Sequence, residues 1–219
     1  MHATCACNQV NAGDWYDATA LHMACRCGNL EAVNYLLSHM DIKIDAKDKN
    51  DDTPLHEACL HGGKKIVKQL LEKMKEKGMT VYMNNKSGLT PLHLACREGY
   101  FEIVELLLDY CGGNCACLIT AKDHEGTTPL HLACQNVDEK KVKSIVEKLL
   151  SYEDTNVLAG DKDGITPIHT TAQYGHTLVM DVLLARTTDA SMCEDNFKQT
   201  PMHFAAEYGQ TDMLKFLHK

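Results

Sequence analysis

Every proline in the chain falls in the same short string. Pro54, Pro91, Pro129, Pro167 and Pro201 are the only five, and each follows a threonine and precedes an apolar residue and a histidine. A sixth string, Thr19-Ala20-Leu21-His22, lacks only the proline. The threonines recur at intervals of 34, 37, 38, 38 and 34 residues. Chance does not place all prolines in phase, so the chain is an internal repeat. Its fold must be built from copies of one unit that bury their apolar surface against each other.

The chemistry of one unit follows from its residues. Threonine is a good N-cap, and proline beside it occupies the first helical position, where a missing N–H costs nothing. The aliphatic residue after the proline and an alanine two places after the histidine (Ala24, Ala58, Ala95, Ala133, Ala172, Ala205) then face inward at helical spacing. Gly28, Gly62, Gly99, Gly175 and Gly209 close the first helix by accepting a left-handed backbone. A second helix follows, with apolar stripes such as Val33, Leu36 and Leu37, or Ile66, Val67, Leu70 and Leu71. One hairpin cannot bury such a stripe alone; stacked copies can, and the expected product is a curved all-α solenoid.

The period and the T-P-L-H-x-A string identify the chain as resembling the ankyrin-repeat family, over about residues 12–219, with residues 1–11 as a lead-in. The resemblance implies six helix-turn-helix units with β-hairpin fingers, the last unit incomplete. It also implies a protein–protein interaction module that works as an adaptor or scaffold through its fingers and the exposed ends of its first helices. Asp17, Asp51 and Lys198 depart from the family's turn glycine, and Gln135-Asn136-Val137-Asp138 lacks the helix-closing glycine, so an irregular turn is expected there. Extra residues near Met74–Gly78, near Cys111–Cys117 and between Asn136 and Gly160 read as tolerated loop length. The apolar last stretch, with Leu214, Phe216 and Leu217, does not read as a polar cap, so the natural chain is expected to continue.

Composition narrows the function. A net charge of -8 argues against a nucleic-acid binder. No apolar run is long enough to span a membrane, and Met1–Cys7 has no signal-peptide pattern. Eleven cysteines, an odd number set mostly at patterned helical positions, read as reduced thiols in a cytoplasmic protein. The lysines between Lys64 and Lys77 read as a solvated helix face.

Chemistry of its own is not expected. His22, His56, His93 and His131 each stand three residues before a cysteine, on one helix face as metal ligands would. The repeat explains them better, as a hydrogen-bonding histidine and a small core residue. Cys5 and Cys7, and Cys111, Cys115 and Cys117, have no zinc-site spacing. No phosphate loop, nucleophile elbow or metalloprotease string occurs, and no catalytic residue, cofactor or metal is assigned. Partner-binding residues are instead expected at the fingers (Trp15, Tyr16, Leu89, Ile165, Phe197) and first-helix ends (Arg26, Leu60, His61, Arg97, Glu98, Tyr174, Tyr208). The segment is expected to be a monomer that binds protein, not nucleic acid or membrane. Two other settings fit the same residues: the cytosolic ankyrin region of a membrane protein such as a TRP-type cation channel, and the substrate-selecting segment of an enzyme such as a ubiquitin ligase.

Overall fold

The computed structural model describes residues 9–113, 115–187 and 190–218. Most of the lead-in, with Cys5 and Cys7, lies outside the described residues. Each threonine string opens a helix: α1 (Ala20–Arg26), α3 (Pro54–Leu60), α5 (Pro91–Glu98), α8 (Pro129–Cys134), α10 (Pro167–Tyr174) and α12 (Pro201–Glu207). Each is followed by a second helix: α2 (Leu30–Leu37), α4 (Lys64–Glu76), α6 (Phe101–Cys111), α9 (Glu139–Leu150), α11 (Thr177–Leu184) and α13 (Thr211–Leu217). A short α7 (Ala116–Ile119) and a 3-10 turn (Ala190–Met192) complete the set. The chain divides into two compact units, one running to Ala95 with Glu102–Gly113, the other Cys96–Phe101 with residues from Asn114 onward.

The N-caps show why the string needs its histidine. The threonine amide donates to histidine Nδ1 at 3.0–3.1 Å in all six strings. An amide only donates, so Nδ1 is unprotonated and the ring proton sits on Nε2. This is a capping box with histidine in the place usually held by glutamate. Nε2 then donates to a carbonyl of the next unit: His22 to Asp52 (3.0 Å) and His56 to Leu89 (3.1 Å) in the first compact unit, His131 to Ile165 (3.0 Å) and His169 to Gln199 (3.1 Å) in the second. One side chain thus caps its own helix and fixes the register of the next copy.

The turns depart from the expected β-hairpin fingers. Among the described residues there is no strand, only an isolated antiparallel bridge between Gly13 and Thr19. Each tip is closed by one side chain instead. Asp48 Oδ1 accepts from the amides of Asn50 (2.7 Å) and Asp52 (3.0 Å), and Asp14, Asn85, Asp123, Asp161 and Asp195 repeat the pattern. The tip itself carries two backbone bonds, such as Asp48 N to Asp52 O at 3.0 Å and Asp51 N to Asp48 O at 2.9 Å, which are too few for a ladder. Successive tips are joined backbone to backbone, Lys49 N to Tyr16 O (2.8 Å) in one compact unit and Asn196 N to Asp163 O (2.9 Å) in the other.

The fourth tip residue has positive φ throughout: Gly88, Gly126 and Gly164, but also Asp17 (59°), Asp51 (62°) and Lys198 (65°). A left-handed backbone costs an L-residue about 1–2 kcal/mol, whereas glycine adopts it freely at a smaller entropic cost. Lys198→Gly is therefore expected to stabilise the chain by about 0.5–1 kcal/mol, read as a raised urea midpoint with unchanged m-value.

The extra residues are not loops. They lengthen second helices: α4 has 13 residues and α9 has 12, against 8 in α2 and α11. Met74, expected in a loop, is 1% exposed in α4. The insertion after α6 folds into α7, which buries Cys115, Leu118 and Ile119. The motif alanines and Cys25, Cys59, Cys96 and Cys134 are buried between helices. Burial pushes the thiols of Cys25 and Cys96 far up, and that of Cys134 up to about 12, so they pack as inert small hydrophobes.

Candidate binding surfaces

In the first compact unit, Trp15 (90% exposed) and Tyr16 (70%) stand on the first turn tip. The Lys49 ammonium donates to the Trp15 carbonyl and lies 6.0 Å from the Tyr16 ring centre, so the tip is braced from the next turn. Arg26, expected at a partner-binding position, is held by a carboxylate. Its Nη2 and Nε donate to Glu57 Oε1 and Oε2 at 2.6 and 3.1 Å, and His61 Nε2 lies 3.4 Å from Oε2. Glu57 is 5% exposed, so the fork satisfies a buried charge before any partner arrives. The sequence reading missed Glu57. Its signal was a lone acid at the variable string position, where Met23, Leu94, Leu132, Thr170 and Phe204 stand in the other copies. Leu60 and Leu89 are half-buried, and the Leu89 carbonyl is occupied by His56.

In the second compact unit, Arg97 Nε pairs with Glu98 at 3.0 Å. Phe197 is 71% exposed on its tip, whereas Ile165 is half-buried and its carbonyl takes the His131 proton. Tyr174 and Tyr208 come together. With Val137, Gln173, His176 and Gln210 they line a groove of about 390 Å³. Tyr174 stacks on His176, with ring centres 6.1 Å apart and planes inclined by 19°. His176 is buried and bonded through Nε2 to the Asn136 carbonyl at 2.8 Å, which fixes the stack. Tyr208 is 52% exposed at the other wall.

The groove floor is built on a glycine. Gln210 Nε2 donates to the Gln173 carbonyl at 2.9 Å, and a Cβ on Gly175 would meet Gln210 Oε1 at 2.3 Å. Asn136 makes the equivalent contact over Gly99 by donating to the Arg97 carbonyl at 2.9 Å. The turn that lacks glycine is irregular, as expected: α8 stops at Cys134 with no left-handed residue after it, Asn136 Oδ1 accepts from Asp138 N, and Asp138 caps α9.

Chemically, these surfaces offer aromatic faces, amides and paired charges. Among the described residues no group of three or more His, Cys, Asp or Glu is placed to hold a metal ion. Cys193 lies 3.8 Å from His169 Nδ1, but that nitrogen already accepts from Thr166, and burial raises the thiol. No described helix is long and apolar enough to cross a membrane.

Copies of one capped helix pair, with variable side chains carried on turn tips and helix ends, define a repeat scaffold. Three stretches, residues 2–81, 77–159 and 137–219, match the family model described as ankyrin repeats. They take in almost the whole chain, which belongs to the ankyrin-repeat family, an all-α repeat solenoid fold whose members generally serve as protein–protein interaction modules. No curated protein matches the chain.

Proposed function

We propose that this chain is a cytoplasmic adaptor or scaffold segment that recognises a protein partner and carries no catalysis of its own. The observation that supports this most is the Tyr174–Tyr208 groove. Two tyrosines, a side chain enriched at binding hot spots, line it together over a floor fixed by Gln210 and His176. A fixed wall costs little ordering entropy on binding, and tyrosine adds apolar area with a hydroxyl at its tip. Family membership supports the same role. The exposed Trp15 and Tyr16 tip offers a further aromatic contact on the first compact unit.

The test is quantitative capture of protein from lysate by the native chain and by Tyr174→Ala/Tyr208→Ala, both checked for helicity by circular dichroism. The native chain is expected to retain a specific protein. The folded double variant should bind that protein at least about 10-fold more weakly, since each hot spot contributes about 1–2 kcal/mol or more. Capture that ignores both substitutions would remove the groove from the proposal.

A further inference from the structure

A pocket of about 360 Å³ lies inside the second compact unit and shares no residue with the Tyr174–Tyr208 groove. It opens between two segments that lead into successive turn tips, residues 119–122 and 155–160, beside the start of α8. Ile119, Thr128, Leu130 and Thr155 are buried and form its floor, whereas Thr120, Lys122, Asn156 and Leu158 are exposed around its rim.

The space is what a small side chain leaves. Met83 and Cys193, each seven residues before a string threonine, reach back to the threonine of the copy before. Thr53 Oγ1 donates to the Met83 sulfur at 3.2 Å, and Cys193 Sγ lies 3.6 Å from Thr166 Oγ1. Opposite Thr128 the equivalent residue is Ala159, followed by Gly160. This pair is the smallest of its kind, against Ala46-Lys47, Met83-Asn84, Ala121-Lys122 and Cys193-Glu194. Aliphatic surface that a longer side chain would cover is therefore left open beside Thr128 and Leu130.

The floor and the rim differ in chemistry. The floor hydroxyls already donate, Thr155 Oγ1 to the Leu149 carbonyl and Thr128 Oγ1 to His131 Nδ1 at 2.8 Å. The floor thus offers a ligand aliphatic contact and no free donor. The rim offers donors. Lys122 is the only charged side chain among the lining residues. It donates one proton to the Gly160 carbonyl at 2.7 Å, which ties the two segments together, and two protons remain. Asn156 Oδ1 accepts from Leu158 N at 2.9 Å, which leaves the amide NH2 as a second donor group. One positive charge and an amide donor above an aliphatic floor suit an apolar body with a single anionic head. The volume falls at the lower end for small-molecule sites, roughly 300–1,000 Å³.

We propose that this pocket binds a small carboxylate with an aliphatic tail. The tail packs on Ile119, Leu130, Leu158 and Ala159, and its removal from water supplies affinity. The carboxylate accepts from Lys122 and Asn156, and Lys122 selects the charge.

Calorimetric titration with octanoate, and with octanol as its uncharged counterpart, tests it. The native chain is expected to bind octanoate at least about 10-fold more tightly than octanol. Ala159→Met places in the pocket the side chain that Met83 supplies in another copy, so folding is retained and is checked by circular dichroism. This variant should bind octanoate at least about 10-fold more weakly. Lys122→Met keeps the apolar stem and removes the charge. It should lower octanoate affinity to that of octanol and leave octanol unchanged. A native chain that binds no octanoate overturns the proposal; if Ala159→Met then also loses a captured protein, the pocket belongs to an apolar side chain of that partner. Octanoate binding that survives Ala159→Met places the ligand elsewhere and overturns it too. Octanol binding as tight as octanoate, or an equal loss of both in Lys122→Met, overturns the anionic head group.

Discussion

Lowering the pH from 6.5 to about 4 is expected to destabilise the fold by several kcal/mol, through histidines that fold only in the neutral form. Burial lowers the His56 pKa from 6.5 to about 4, against the opposing pull of its hydrogen bond to the Leu89 carbonyl. Burial also lowers those of His131 and His169. Between the two values the unfolded chain binds a proton that the folded chain refuses, so stability rises with pH across this window. The contribution is complete above 6.5, shrinks as the pH falls towards 4, and is gone below that. At 1.36 kcal/mol per unit, His56 alone accounts for on the order of 3 kcal/mol. Protonation also removes a specific bond, because Nδ1 accepts from the Thr53 amide and cannot do so once it carries a proton. Urea midpoints at pH 7, 6, 5 and 4.5 check the slope. His56→Gln should lower stability at pH 7 yet flatten the slope above pH 5, before most carboxylates titrate. An unchanged slope in that variant would remove the histidine from the explanation.

The repeat, its helices and its core were legible because each rests on local chemistry. Thr53, Pro54 and Gly62 fix where α3 starts and stops, and the spacing of Ile66, Val67, Leu70 and Leu71 fixes the buried face of α4. The strand-bearing fingers were not found, because Asp48, Asp123 and their equivalents close each tip by side chain and leave no ladder to extend. The inserted residues were read as loops, but the Met74 side chain keeps the helical register of Leu70 and Leu71, so α4 simply runs on. The variable surface was harder to read. Tyr174 and Tyr208 were visible as one recurring position, yet their shared groove depends on Gln210 packing over Gly175, a contact between residues 35 apart. Arg26 looked available for a partner because its acceptor, Glu57, lies one copy further along. Pairings between copies are what a single period does not show.

Leu149→Ala is expected to cost about 2–5 kcal/mol, the second large effect. On α9, Val142, Ile145, Val146 and Leu149 repeat at spacings of three and four residues, and all four are fully buried. The helix packs against α8 on one side and α11 on the other, so the removed methyl groups leave a gap bounded by two helices. In a close-packed stack neither neighbour can collapse into that gap without losing its own contacts with the next pair. The loss is therefore the transfer energy of the leucine side chain plus most of the cavity cost. Leu178 on α11 supplies the control: it is half exposed, and Leu178→Ala should change stability by no more than about 0.5 kcal/mol. Chemical denaturation of both variants reads the difference, with equal m-values required for the comparison. Comparable small effects at the two positions would mean that α9 does not carry the core of its unit. A large loss at Leu149 alone would place the cohesion of this repeat array in the side-chain layer between its helix pairs, with the turn tips setting register.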